Sequence, residues 1–350
     1  MEKRFMKGNE AIAESAVRAG CRFFAGYPIT PQNEIPEYLA RRLPELGGTF
    51  VQGESEIASA YMVYGGAATG ARCMTSSSGL GLCLKSEAIS YLAGARLPAV
   101  IVDVSRGGPG LGSIQPAQQD YTFMTKAPGC GGLRCLVYAP STVQEAADLV
   151  YKAFDKAERD RNPVIILTDG CLGAMMEAVE LPEMKVPSRN EEWSLARSER
   201  ESRCILSFHV EPADQERFNI EQRALYESWD NDLETEYYQM EDAEYVIAAY
   251  GICGRIAKTA IQELRAKGVK IGLLRPITVN PFPVEAYRSL SPQKVKAVLA
   301  VEMAIPGQMI EDVRAAVDPA IPVRPCARSG GVLVEESDII EAVEAVIKKA

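Results

Sequence analysis

The chain has 350 residues, of which 47% are hydrophobic and 24% charged, ordinary values for a soluble globular protein and enough apolar material for about two cores. Its 47 acidic residues against 38 basic ones give a net charge of -9, which argues against nucleic acid or an anionic membrane surface as the main partner. No apolar run approaches the roughly 20 residues of a membrane span and no signal peptide opens the chain, so a cytoplasmic location is expected.

Cysteine and histidine usage narrows the chemistry. Nine cysteines are dispersed without a C-x-x-C pair, so they read as reduced, buried thiols, not as ligands of an iron–sulfur cluster or structural zinc. The single histidine, His209, lies in a polar stretch, which excludes a His-based triad or a multi-His metal site. Acid–base work must then fall to Glu, Asp, Lys, Tyr or Cys, or to a cofactor's own base. No metal ligands are assigned.

In chain order, residues 7–19 read as a helix and Cys21 to Ala25 as a short apolar strand. Tyr27-Pro28-Ile29-Thr30-Pro31 forms its exit loop, with Thr30 and Pro31 in the pattern of an N-cap and first helical position. A helix runs on to about Leu43, and a strand over 49–52 ends near two carboxylates, Glu54 and Glu56. Ser55 has the chemistry of an N-cap, which places Glu56 in a helical first turn. From Ile57 to Gly70 there is no charge, so that helix is expected to be buried all round. Desolvation and the positive helix end act in opposite directions on Glu56, as in a tuned acid–base group. A solvated first-turn charge has the same sequence signature.

A strand over 72–76 leads through Ser77-Ser78-Gly79-Leu80-Gly81 into a helix reaching Ala95. The apolar strand from Pro98 ends at Ser105-Arg106 and a glycine-rich loop, residues 107–112, follows. That loop lacks the Gly-Lys-Ser/Thr ending of a phosphate loop, and a tight turn accounts for it better. Strand 133–138, helix 141–159 and strand 163–168 close the block. Arg106 ends a buried strand with no acid beside it in sequence, so its partner is either a structural carboxylate or a ligand carboxylate held bidentately.

Residues 181–242 are polar, without sustained period, and carry scattered aromatics including Trp193, Phe208, Trp229 and Tyr237. They read as an arm lying on another surface of this chain or of a partner, with one helix near 214–228. From residue 243 strands and helices alternate again, with strands near 244–250, 269–274, 296–301 and 321–325. Alternating strands and helices define an α/β fold with a doubly wound parallel sheet, whose ligands collect at the carboxyl ends of strands. Thr30, Glu56, the serines from Ser76 to Ser78, and Arg106 fall at four such ends.

These motifs, with Gln118-Gln119-Asp120 and the stretch from Leu274 to Pro283, resemble the alpha subunit of thiamine-diphosphate-dependent 2-oxoacid:ferredoxin oxidoreductases. The branched-chain (3-methyl-2-oxobutanoate) type is the nearer likeness and the 2-oxoglutarate type the next. The resemblance implies a pyrimidine-binding domain over 1–180, a connecting arm over 181–242, and a transketolase C-terminal-like α/β domain over 243–350. It implies that Glu56 is the catalytic residue that hydrogen-bonds N1′ of the cofactor aminopyrimidine, with Glu54 the alternative. It further implies that Thr30 and Arg106 bind the substrate carboxylate. Tyr27, Pro28, Ile29, Ser76, Ser77, Ser78 and Gly79 would wall the cofactor. Coenzyme A is the implied cosubstrate.

A Gly-Asp-Gly…Asn segment for magnesium diphosphate is missing from the sequence, as are cluster cysteines. The resemblance therefore places Mg2+ and iron–sulfur clusters on partners: a beta subunit, gamma and ferredoxin-like delta subunits, and ferredoxin. Neither nucleic acid nor membrane is among the expected partners. A transketolase-like half-enzyme is a rival reading, disfavoured by the lone histidine. A non-catalytic scaffold that kept the fold is another.

Overall fold

A computed structural model describes residues 2–186, 189–195 and 203–348. The first half contains strands β1 (Glu2–Lys7), β2 (Phe23–Gly26), β3 (Thr49–Gln52), β4 (Cys73–Ser77), β5 (Val100–Gly107), β6 (Ser113–Pro116), β7 (Leu136–Tyr138), β8 (Val164–Asp169) and β9 (Met176–Leu181). Its helices are α1 (Gly8–Arg18), α2 (Glu34–Glu45), α3 (Glu56–Ala68), α4 (Leu80–Gly94), α5 (Tyr121–Lys126), α6 (Val143–Asp160) and α7 (Gly170–Ala174). The second half contains α8 (Pro212–Ser228), β10 (Thr235–Tyr238), β11 (Tyr245–Ala249), α9 (Gly251–Ala266), β12 (Ile271–Pro276), β13 (Thr278–Asn280), α10 (Val284–Arg288), β14 (Ala297–Glu302), α11 (Met309–Ala316), β15 (Val323–Ala327) and α12 (Glu336–Ile347).

The larger sheet runs β13-β7-β8-β5-β4-β2-β3, with β6 folded back antiparallel on β5. Strands β2 to β5, β7 and β8 are mutually parallel, as the alternation of apolar strands and helices requires. Central strand β5 shows why both faces are covered. Val100, Val102 and Val104 join a core with residues of α1, α2 and α6, while Ile101 joins a second core with α4 and α5. Strand side chains alternate between faces, so one apolar strand feeds both layers.

The smaller sheet has the order β10-β12-β11-β14-β15. Its residues Val246, Leu274 and Val298 share the second core with Ile101, Val137 and Ile165 of the larger sheet, so the two units are joined by continuous apolar packing. One strand ties them further: β13, which follows β12 in sequence, pairs antiparallel with β7 of the larger sheet.

Several local expectations are corrected. Thr30 and Pro31 do not open a helix: α2 begins at Glu34 with Asn33 at its N-cap position. Tertiary bonds hold the intervening turn, from Arg106 to the Thr30 carbonyl and from Asn9 to the Pro31 carbonyl. Helix α3 is not buried all round. Ser59, Ala60, Val63 and Ala67 are buried, but Ile57 is exposed and Tyr61 and Tyr64 are half-buried. Its outer face is apolar and open in the single chain. The antiparallel β1–β9 ribbon gave no alternating signal in the sequence, because charged residues occupy most of β1.

The aromatic segment after residue 181 lies on its own chain where it is described. Trp193 is buried and donates to the Ala67 carbonyl at 3.3 Å, and Trp229 is buried and donates to Asp160 at 2.8 Å. The expected helix is α8. Residues 187–188 and 196–202 of the arm lie outside the described residues. No described helix is long and apolar enough to cross a membrane.

Candidate active site

The carboxyl ends of β2, β3, β4 and β5 converge, and the side chains there build one site. Ser55 is extended and accepts a bond from the Ala58 amide at 3.1 Å, so α3 starts at Glu56 as an ordinary capped helix. The cap fixes which of the two carboxylates turns inward. Glu56 is 8% exposed, whereas Glu54 lies in solvent. Among the described residues no protein donor bonds the Glu56 carboxylate. A largely buried residue whose carboxylate has no protein donor leaves that carboxylate open to a ligand at the site.

Two glycines shape the space around it. Gly79 has a φ of +49°, a backbone conformation that suits glycine, and it turns β4 into α4. Gly81 in the first turn of α4 leaves no room for a side chain. A Cβ there would lie 2.2 Å from Ser77 Oγ and 3.0 Å from Glu56 Oε1. The N-terminus of α4 therefore presses on Glu56 and Ser77 together.

The serine run divides between the faces of the sheet. Ser76 is hydrogen-bonded to the Gln32 side chain on the α2 side. Ser77 lies in register with Asp103 on the opposite, α4 side. Ser77 and Ser78 hydroxyls are buried without a protein partner among the described residues. Such orphaned donors beside a carboxylate and a glycine turn fit a flat heteroaromatic ring with several polar edges.

Arg106 and Thr30 meet as the sequence anticipated. The Arg106 guanidinium, 7% exposed, donates to the Thr30 carbonyl at 2.9 Å. Among the described residues no carboxylate forms an ion pair with it, so most of its fork is available to an anion. Thr30 Oγ1 accepts from Asn33 at 3.3 Å. Tyr27 and Pro28 are exposed at the rim, Ile29 is half-buried beside them, and Gln32 donates to the Tyr27 carbonyl at 3.2 Å.

Three further charges stand at the site without a role assigned from sequence, the buried Lys85 and Asp103 and the half-buried Asp120. Lys85 of α4 is 0% exposed and donates to Ser59 at 2.8 Å and Thr75 at 2.9 Å. Burial lowers its pKa to about 7, with Glu56 acting in the opposite direction. Asp103 lies within β5, and Asp120 precedes α5. Burial raises both carboxyls, Asp103 well above its usual range. The available signal was a charge set among apolar neighbours, Lys85 after the leucines of α4 and Asp103 between the valines of β5. Gln118 ties the Asp120 loop to the rest of the molecule. It bridges to the smaller sheet, its Oε1 accepting from the Met303 amide at 3.0 Å and its Nε2 donating to the Tyr250 carbonyl at 3.1 Å. The loop that carries Asp120 is thus anchored from the second unit.

No group of three or more metal-ligating side chains occurs among the described residues, and all nine cysteines are free, although Cys83, Cys130 and Cys204 are exposed and not buried as expected. The arrangement offers a buried glutamate, hydroxyls without a partner among the described residues and a guanidinium held by a backbone carbonyl, all at one end of a parallel sheet. Side chains that converge in this way at the carboxyl ends of parallel strands mark the ligand site of a doubly wound α/β protein.

The comparisons agree with this class. Residues 14–250 match the family described as pyruvate flavodoxin/ferredoxin oxidoreductase, thiamine diP-bdg, and residues 243–339 match pyruvate:ferredoxin oxidoreductase core domain II. The chain is 45% identical to the ketoisovalerate oxidoreductase subunit VorB of Methanothermobacter marburgensis, covering 99% of this chain and 98% of that one. The structure of 2-oxoglutarate:ferredoxin oxidoreductase from Magnetococcus marinus, solved with 2-oxoglutarate, coenzyme A and succinyl-CoA, is similar with a TM-score of 0.89 at 26% identity. That match covers 99% of this chain and 65% of the other. A split-gene transketolase shares the fold alone, with a TM-score of 0.61 at 16% identity. The chain belongs to the 2-oxoacid:ferredoxin oxidoreductase subunit family, with a thiamine-enzyme pyrimidine-binding fold followed by a transketolase C-terminal-like fold.

Proposed function

We propose that this chain is the alpha-type subunit of a branched-chain 2-oxoacid:ferredoxin oxidoreductase. The overall reaction converts a 2-oxoacid and coenzyme A to acyl-CoA, carbon dioxide and a proton, with two electrons passed to ferredoxin. The observation that carries the reading is the buried Glu56 carboxylate, unclaimed by any described protein donor, beside the Arg106–Thr30 pair. The 45% identity to a ketoisovalerate oxidoreductase subunit supports the branched-chain substrate. A 2-oxoglutarate type is the second reading, favoured by the likeness to the Magnetococcus enzyme.

When bound, thiamine diphosphate supplies the base and the electron sink of the reaction. Glu56 would hold a proton at N1′ of its aminopyrimidine. Ser77, Ser78 and Gly79 would line the ring, with Tyr27, Pro28 and Ile29 at the rim, while Ser76 braces the turn through Gln32. Arg106 would take the substrate carboxylate, with the Thr30 turn beside it. The helix α3 and α4 flank, with Ile57, Leu80, Leu84 and Tyr91 exposed, suits a partner that completes the site. That partner would be a beta subunit bringing the diphosphate and Mg2+, in an assembly with gamma and delta subunits that carry the iron–sulfur clusters. The domain limits at residues 180 and 243 belong to the same proposal.

The test is a panel of 2-oxoacids assayed on the purified complex with a viologen acceptor. Branched-chain 2-oxoacids should give the highest kcat/KM. A preference for 2-oxoglutarate would move the assignment to the second reading, and no turnover on any 2-oxoacid would refute both.

A further inference from the structure

Asp120 occupies the N-cap position of α5 but makes no capping bond. Its carboxylate reaches across instead, and Oδ2 accepts from the Gly79 amide at 3.3 Å. Behind it stands Asp103, 0% exposed on central strand β5, and neither of its carboxylate oxygens meets a conventional donor among the described residues. Asp103 is in register with Ser77 on β4 and lies on the same strand face as Ser105. The two carboxyls are hydrogen-bonding neighbours, and Asp120 also interacts with Ser105 and feels the positive charge of Arg106. One acid is sealed in the sheet and the other is partly open to the site.

Two adjacent carboxylates with so few donors cannot both stay ionised out of water. A proton on one lets it donate to the other, which supplies the donor that Asp103 otherwise lacks. We propose that Asp103 and Asp120 share a single proton behind Arg106, and that this proton sets how strongly Arg106 holds an anionic substrate. The inference rests on the reading of Arg106 as the carboxylate-binding residue. Asp103 is then a positioning residue that acts through Asp120. With one proton on the pair, its single negative charge offsets Arg106. When that proton leaves, a second negative charge appears beside the guanidinium, and a 2-oxoacid anion is bound less well. Burial raises both groups, so this loss falls on the alkaline side of the usual carboxylate range.

Other titratable groups face the pair. Cys83 on α4 lies close enough to interact with both acids, and Tyr250 from the smaller unit interacts with Asp120. Asp169, opposite Ser105 on β8, is turned to the Cys171 and Leu172 amides. Lys85 lies on the Glu56 side and titrates near pH 7. Asp103→Asn separates the pair from all of these, because its amide donates to Asp120 at every pH and cannot ionise.

The experiment compares the wild-type complex with Asp103→Asn and Arg106→Lys complexes. Infrared spectra at neutral pH should show a protonated carboxyl band in the wild type, sensitive to deuterium oxide, that Asp103→Asn removes. The KM for the 2-oxoacid should rise roughly 10-fold toward alkaline pH in the wild type, as expected for one added charge near an ion-binding site. That rise should flatten in Asp103→Asn. A missing band, or an alkaline rise that persists unchanged in Asp103→Asn, would overturn the inference. A flat wild-type profile with KM raised in Arg106→Lys would overturn the inference alone. A normal KM in Arg106→Lys would overturn the carboxylate-binding reading and this inference with it. The infrared band needs only the wild-type complex, so a variant that fails to fold does not remove the test.

Discussion

The Arg106 guanidinium donates to the Thr30 carbonyl across 2.9 Å, joining two residues separated by 76 positions in sequence at one end of a parallel sheet. This bond holds the fork without neutralising it. Arg106→Lys keeps the charge but loses the planar bidentate geometry. The KM for the 2-oxoacid should rise, or kcat/KM fall, by roughly 10-fold or more. Wild-type kinetics in that variant would leave Arg106 with only a structural role.

Gly81→Ala should disturb the site without touching a ligand. The added Cβ would lie 2.2 Å from Ser77 Oγ and 3.0 Å from Glu56 Oε1, so α4 or the Glu56 rotamer must shift. Overpacking of this kind costs about 1–3 kcal/mol. Thermal unfolding of the chain should record a lower Tm and the complex should lose activity. An unchanged Tm with full turnover would mean that the contact is looser than described.

Lys85 gives a pH-dependent prediction. Its folded pKa, lowered to about 7, lies below the ordinary lysine value of 10.5. Between those values the unfolded chain carries a proton at this site that the folded chain lacks, so stability rises with pH. Below about 7 both states are protonated and the full cost of the buried charge is present. Lys85→Met removes that cost together with the bonds Lys85 donates to Ser59 and Thr75, a loss that does not vary with pH, and the two hydroxyls keep their bonds to the Glu56 and Ala25 carbonyls. Its Tm relative to wild type should therefore be highest in mildly acidic buffer and decline as pH rises from 7 toward 10. A Tm difference independent of pH would contradict the assignment.

The sequence made the parallel sheet legible because its strands are apolar runs separated by helices long enough to cross over. Glu56, Thr30 and Arg106 were legible because each stands at a strand end. The acid pair was not, because Asp103 and Asp120 are brought together by the return of the β6 segment over β5. Strand β13 was hidden for a similar reason. Its three residues follow β12 almost directly, yet they pair with β7 of the other sheet. The outer face of α3 was misjudged because composition alone cannot distinguish a core helix from one whose apolar face is open in the single chain.

The chain on its own should be inactive. No metal-ligating cluster exists among the described residues, and a magnesium diphosphate needs oxygen ligands that this half-site does not present. Titrating the purified chain with thiamine diphosphate and Mg2+ should give weak binding and no decarboxylation until the partner is added. Tight binding with turnover by the isolated chain would refute the shared-site reading.

The central claim is that Glu56 of this chain activates the cofactor from the pyrimidine side. Exchange of the cofactor C2 proton for deuterium, followed by NMR in the assembled complex, tests it most directly. Glu56→Gln should assemble normally and slow that exchange by orders of magnitude, while Glu54→Gln, whose side chain lies in solvent, should leave it unchanged. Exchange at the wild-type rate in Glu56→Gln, or a loss confined to Glu54→Gln, would contradict the account.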